Sequence, residues 1–245
     1  VKRGGEEEEE KRRRRDSRRA SNFHQLQPWH RRWEAGQTGF HLKHVHPALS
    51  AHLPELLEDG ISAPHFPKTI LVPLCGKSVD MPWLASMGHK VVGVDCCSAA
   101  VEELAAENEL TVTRRRVGDF EQVLLQLPGS RAAFTFLVGD FFLLHPRVAG
   151  HFEGSFDRGG LVAMAREERE GYAEATAELM ERGGRVLLVA VEHDGFADGK
   201  LGPPYSITEE EVRRLYGRRF EVELLERREV EEETRWRERG CTYFR

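Results

Sequence analysis

The chain has 245 residues, 31% charged and 40% hydrophobic, with a formal net charge of −5, which fits one α/β domain carrying a charged appendage. Residues 1–20 hold nine basic and six acidic groups, so the remaining body sits at −8, and an acidic body argues against a nucleic-acid partner. No apolar run approaches the length of a membrane span, and Cys75, Cys96, Cys97 and Cys241 lack C-x-x-C spacing, which sets aside a membrane partner, a zinc framework and a disulfide scaffold. Free thiols suit a reducing compartment, so the expected location is cytoplasmic; the expected state is a monomer.

In chain order, residues 1–22 read as a charged, low-complexity, disordered tail, and residues 23–245 as the domain. A nuclear-import or nucleic-acid reading of the arginines between 12 and 19 is weakened by the adjacent glutamates, which cancel part of their field. Trp29 and Trp33 stand one helical turn apart and share a face. Gly36, Thr38 and Gly39 end that helix and lead to Phe40 and His41. On pattern alone both tryptophans read as core anchors. Residues 49–59 predict a helix with Leu53, Leu56 and Leu57 inward, and Pro64 and Pro67 bring the chain to the first strand.

The sheet is expected to be built around residues 69–95. Ile70, Leu71, Val72 and Leu74 suit a buried parallel strand. Gly76 punctuates it. Met81, Trp83, Leu84 and Met87 recur at helical spacing, Gly88 closes the helix, and Val91, Val92 and Val94 form a second strand ending on Asp95. A glycine at the first strand-to-helix turn lets a ligand lie on bare backbone, and an acid at the next strand tip accepts from a ribose diol. The glycines are too few for G-x-G-x-x-G. Gly76-Lys77-Ser78 matches the end of a P-loop, but Leu71 stands where its first glycine belongs. A ribose-bearing ligand without pyrophosphate remains, and S-adenosylmethionine is one.

Ser98 predicts the N-cap of a helix running to about residue 107, with Cys96 and Cys97 read as small buried filler. Residues 111–116 predict the third core strand. Residues 123–127 and 134–138 predict an inserted hairpin around Pro128-Gly129-Ser130. In the turn that follows, Asp140 on its own reads equally as a capping carboxylate. Residues 152–157 predict a fourth strand whose carboxyl end, Asp157-Arg158-Gly159-Gly160, faces the cleft. Arg158 is either the substrate-side cation or a surface partner of Asp157 or Glu153. A helix over 161–180, a central strand over 185–191 and a Gly202-Pro203-Pro204-Tyr205 loop come next. A Thr208/Glu211 capping box opens a helix to about 216, and a late strand covers 220–225. Residues 242–244 read as the beginning of one more strand.

Five ordered segments resemble the thiopurine S-methyltransferase family. They are W-H-R-R-W-E-A-G-Q-T-G-F-H at 29–41, P-L-C-G-K-S-V-D-M-P-W-L-A-S-M-G-H-K-V-V-G-V-D at 73–95, G-D-F-F at 139–142, F-D-R-G-G-L-V-A at 156–163 and G-P-P-Y at 202–205. The resemblance implies a three-layer α/β sandwich with a seven-stranded, mostly parallel, Rossmann-like methyltransferase sheet. Family members finish on a strand such as the one beginning at 242–244, which implies a C-terminus cut short or divergent. It implies methyl transfer from S-adenosylmethionine to the sulfur of a small aromatic or heterocyclic thiol. Leu74, Gly76 and Asp95 would hold the methionine and ribose parts, and Asp140 and Phe141 the adenine. Trp29, Trp33 and Phe40 would cap the site, with Phe40 also touching substrate. Arg158 would touch both cofactor and acceptor and serve as the catalytic cation. No metal is expected, and no strong general base is evident. Two alternatives stay open at this point: selenium, tellurium or halide acceptors, and a non-catalytic relative. Gly39, Glu153, Ser155 and Phe156 depart from the family pattern and carry the second.

Overall fold

Apolar runs of two periods, broken by glycine and proline, become alternating strands and helices. The computed structural model describes residues 26–57, 67–229 and 237–241. Residues 26–34 are helical (α1). They are followed by α2 (Pro47–Ala51), α3 (Leu53–Leu57), β1 (Thr69–Pro73), α4 (Asp80–Ser86), β2 (Lys90–Asp95), α5 (Ser98–Glu107), β3 (Thr111–Val117), β4 (Phe120–Gln126) and β5 (Ala133–Val138). The chain continues through α6 (Pro146–Ala149), β6 (Phe152–Arg158), α7 (Arg169–Leu179), β7 (Met180–Val189) and α8 (Glu209–Tyr216). The expected tail and the expected strand at 242–244 lie outside the described residues. Among the described residues no helix is long and apolar enough to cross a membrane.

One seven-stranded sheet runs in the order β3-β4-β5-β2-β1-β6-β7. Pairings β1–β2, β1–β6, β2–β5 and β6–β7 are parallel, and β3–β4 and β4–β5 are antiparallel. The strand period of two sends Ile70 and Val72 into one core with α3, α4 and α5, and Leu71 into the other with α7 and α8. This makes the expected three layers. On β2, Gly93 admits α4: a Cβ there would lie 2.3 Å from the Met81 sulfur.

Several expectations need correction. The third parallel strand beside β2 is β5, not residues 111–116. Phe134, Phe136 and Leu137 on β5 are buried, whereas β3 is largely exposed and carries Arg114, Arg115 and Arg116. A charged, exposed strand belongs at an edge, where it blunts edge-to-edge pairing. The 134–138 run does form a hairpin with β4, as expected. Residues 185–191 were expected to be central, but β7 is the outer strand of the described sheet. Residues 221–229 form no strand: their side chains are almost all exposed, so no apolar face drives pairing. The 49–59 helix breaks at His52, because Pro54 has no N–H to continue the ladder. The helix expected from 161 begins only at Arg169, after the Glu168 carboxylate has accepted the Ala165 N–H at 3.0 Å. Ser98 is already helical, and the cap at that end comes from Asp95.

Candidate active site

The carboxyl ends of β1, β2 and β6 meet around one cleft. β1 leaves the sheet through Leu74-Cys75-Gly76, with Leu74 at φ 46° and Gly76 at φ 49°. A left-handed leucine costs roughly 1–2 kcal/mol, and strain of this kind concentrates at functional turns. The Gly76 N–H donates to Asp95 Oδ2 at 2.9 Å, and the Cys97 N–H donates to Oδ1 at 2.9 Å. One carboxylate therefore ties the first turn to the start of α5. Asp95 is 8% exposed, and burial pushes its carboxyl above the ordinary carboxylate range. The Cys96 thiol also bonds this carboxylate; with about four acceptor positions on a carboxylate, one remains towards the cleft that Asp95 lines.

The bare backbone expected at Gly76 is covered by His41. A Cβ on Gly76 would sit 2.1 Å from His41 Cε1, so the glycine is needed to admit an imidazole. Lys77 reaches Glu103 at 2.8 Å and Glu107 at 2.6 Å on α5, which removes the P-loop reading.

Above the turn lies the aromatic cap. Trp29 and Trp33 meet Phe40 edge-on, at 5.9 Å and 6.2 Å between ring centres. Trp33 is 5% exposed and belongs to the core, so it anchors the cap, while half-buried Trp29 and Phe40 form its face. The His41 ring lies 4.6 Å from Phe40 and 5.1 Å from Trp33, with Nε2 buried and unpartnered. Burial, then the Arg158 and Lys77 charges, push its pKa down to about 3. The His46 N–H donates to Asp80 Oδ1 at 2.8 Å, and Asp80 Oδ2 accepts the Ser78 hydroxyl at 2.6 Å. Burial and Arg158 push the His46 ring down to about 4 against the opposing pull of Asp80. His46 and buried Asp80 were not among the residues expected at the site. Asp80 in the first turn of α4 was the only local signal, and His46 had none.

Arg158, at the end of β6, sends Nη1 across the cleft to the Phe40 carbonyl at 2.5 Å. The alternative surface pairings do not form. Glu153 is held by Lys68 and the Thr69 N–H at the other end of β6. Asp157 is fully buried, accepting the Gly160 and Leu161 N–H groups at 3.0 Å and 3.3 Å and the Tyr172 hydroxyl at 2.9 Å.

At the β5 end, Asp140 accepts the Phe142 N–H at 2.9 Å and caps the 3-10 turn Phe141–Leu143. Phe141 is 2% exposed with its ring 5.1 Å from Tyr172, so that ring is committed to the core. Half-buried Phe142 gives the cleft its aromatic surface here. Leu74, Asp95, Asp140 and Arg158 are thus brought to one cleft, with Gly76 beneath His41. The cavity measures about 2300 Å³, more than one small-ligand site needs, because it runs on along β7.

The sequence model of the Thiopurine S-methyltransferase (TPMT) family matches residues 24–245. The chain belongs to the thiopurine S-methyltransferase family. A thiopurine S-methyltransferase of Bordetella petrii is 37% identical over 219 residues, covering 87% of this chain and 92% of the relative. A probable thiopurine S-methyltransferase of Danio rerio is 33% identical over 210 residues, covering 86% and 87%. Among solved structures, the Burkholderia thailandensis 1,6-didemethyltoxoflavin-N1-methyltransferase, with its ligand and S-adenosylhomocysteine bound, superposes with a TM-score of 0.52. It is 18% identical, covering 95% of this chain and 87% of that one, and the likeness shows the shared fold. The chain is an S-adenosylmethionine-dependent S-methyltransferase, and this membership favours the catalytic reading over the non-catalytic alternative.

The residues present fit that cofactor. Asp95 is a buried carboxylate with unused acceptor capacity and a raised pKa, which two donating hydroxyls of a ribose would relieve. The strained Leu74 backbone and the half-buried Trp29 supply apolar walls beside it.

Proposed function

We propose that this thiopurine S-methyltransferase family member methylates the sulfur of aromatic or heterocyclic thiols. The observation that carries the reading is Arg158, a permanent cation bonded to the Phe40 carbonyl under the aromatic cap, whose charge helps drive the His41 and His46 rings neutral. Bound S-adenosylmethionine supplies a methyl group on a positively charged sulfonium.

Asp95 orients the ribose by accepting its hydroxyls, while Leu74 and Trp29 pack along the methionine part. Asp140 accepts from the adenine end, and the ring of Phe142, rather than that of Phe141, flanks it. Arg158 holds the acceptor as a thiolate, or holds a ring nitrogen of its thione form, because a guanidinium stays charged at every working pH. His41 and His46, with pKa values pushed down to about 3 and 4, are poor proton acceptors. The thiol therefore loses its proton to water before the cap closes, as acidic heterocyclic thiols do unaided. Neutral histidines also leave the positive charge of the acceptor side on Arg158. Trp29, Trp33 and Phe40 then exclude water. Meeting of an anionic sulfur with a sulfonium removes two opposite charges, so a dry, low-dielectric site favours it. Holding both partners in line supplies the rest of the rate.

A labelled-methyl assay with an aromatic thiol, a thiopurine and selenite tests the proposal. Transfer to the thiols at rates above selenite supports it. Transfer to selenite alone, or to none of the three by a chain that binds S-adenosylhomocysteine, overturns it.

A further inference from the structure

Cys96 and Cys97 follow Asp95 at the tip of β2, and the sequence reading takes them as filler. The fold adds a third group from 66 residues upstream, His30 on α1. A ring nitrogen of His30 and both sulfurs lie within 4.8 Å of one another. The two sulfurs are 3.5 Å apart and both are free thiols. Cys97 is 1% exposed, with its N–H held by Asp95 and its carbonyl by the Ala100 N–H at 3.1 Å. Cys96 is half-buried and lines the cleft.

We propose that His30, Cys96 and Cys97 form a binding site for a soft divalent cation of the zinc and cadmium class, on the cleft wall beside Asp95. Two sulfurs and one imidazole are the donor set such ions select, whereas magnesium and calcium require oxygen ligands. With metal–sulfur bonds of about 2.3 Å, sulfurs 3.5 Å apart subtend about 100° at a shared ion, close to tetrahedral. A tetrahedral ion places ligand atoms about 3.5–3.8 Å apart, so closing the set from within 4.8 Å needs the His30 ring to move by about 1.3 Å at most. Three protein ligands leave one position open to the cleft.

The local charge agrees, because the buried Asp95 carboxylate, which accepts the Cys97 N–H at 2.9 Å, lies beside the two sulfurs and favours a dication. On binding, each S–H bond gives way to a sulfur–metal bond, both protons leave to buffer, and His30 ligates through a neutral nitrogen. No electrons are transferred. The ion takes no part in methyl transfer. It would join α1, which carries Trp29 and Trp33, to the tip of β2.

The test is a titration of the tag-free, phosphine-reduced chain with Cd²⁺, followed by calorimetry and by the ultraviolet sulfur-to-cadmium charge-transfer band. One equivalent should bind, and Mg²⁺ should give no signal. Removing an outer-shell partner of a metal ligand already costs about 10–100-fold in affinity, so Cys96→Ser and Cys97→Ala should each weaken binding by at least about tenfold. His30→Ala should do the same while keeping a sulfur–cadmium band. Circular dichroism checks each variant, and half-buried Cys96→Ser decides alone if Cys97→Ala does not fold. A full-strength band in Cys96→Ser, which would assign the ion to Cys75 or Cys241, or unchanged affinity in His30→Ala, overturns the site. None of these readouts depends on the methyl acceptor.

Discussion

The strands flanking β1 each carry a buried aspartate at the tip, the last residue of β2 and the last but one of β6, and the two do opposite things. Asp157 at the β6 tip is 0% exposed, with its oxygens taken by two N–H groups and the Tyr172 hydroxyl, and burial pushes its pKa up to about 6. Asp95 at the β2 tip also has three protein donors, two backbone N–H groups and the Cys96 thiol, but it is 8% exposed and lines the cleft. Both lie where an open α/β sheet presents ligands. A carboxylate at a strand tip is therefore not in itself a ligand group. What separates structure from site is access: Asp95 lines the cleft and Asp157 does not.

The comparison breaks most severely at Asp157. Asp157→Ala leaves three donors unpaired in the core and should cost about 3 kcal/mol or more in urea unfolding. A loss below about 1 kcal/mol would mean that the tips are equivalent after all. Next, Arg158→Ala should lower kcat/KM for a thiol by about 1.5–3 kcal/mol, roughly 10–100-fold, with a smaller change in S-adenosylhomocysteine affinity. The reverse ranking would move Arg158 to the cofactor side.

The pH dependence is weaker. His41 is held at about 3 against an ordinary 6.5, so its contribution is complete above pH 6.5 and is lost as pH falls towards 3. His46, at about 4, acts in the same sense. Asp157 opposes them: its raised pKa adds stability below 3.8 that disappears as pH rises through about 6. Between pH 7 and pH 5 His41→Leu should shrink the stability loss by about 1 kcal/mol, the linkage value discounted for its partial exposure. An unchanged slope would show His41 charged or exposed. Smallest, Ser155→Ala removes a buried hydroxyl with no partner on β6 and should leave stability unchanged or raise it by up to about 1 kcal/mol. A clear loss would reveal a partner for that hydroxyl.

The sequence made β1, α4, β2 and the Asp95 tip legible because each is local: apolar periodicity, Gly88 as a stop and an acid at a fixed spacing. The capping threonine, Thr208, also appears as read, its hydroxyl accepting the Glu211 N–H at 3.2 Å, although the Glu211 carboxylate turns to Arg169. What stayed hidden is pairing at a distance. Which of three β-prone runs lies against β2 depends on which can be buried on both faces, and the arginines of β3 decide it. The His41 ring on Gly76, the reach of Arg158 to Phe40 and the meeting of His30 with Cys96 and Cys97 join segments with no shared local pattern. Phe141 and Phe142 are neighbours in sequence and both meet Tyr172, and only their burial shows that Phe141 belongs to the core.

The central claim is that Asp95 spends its remaining acceptor capacity on the cofactor's ribose. Calorimetry of S-adenosylhomocysteine binding to the native chain and to Asp95→Ala tests it most directly. The variant should bind roughly 5–150-fold more weakly, about 1–3 kcal/mol, in a protein that still folds. Equal affinity for the two chains would contradict it.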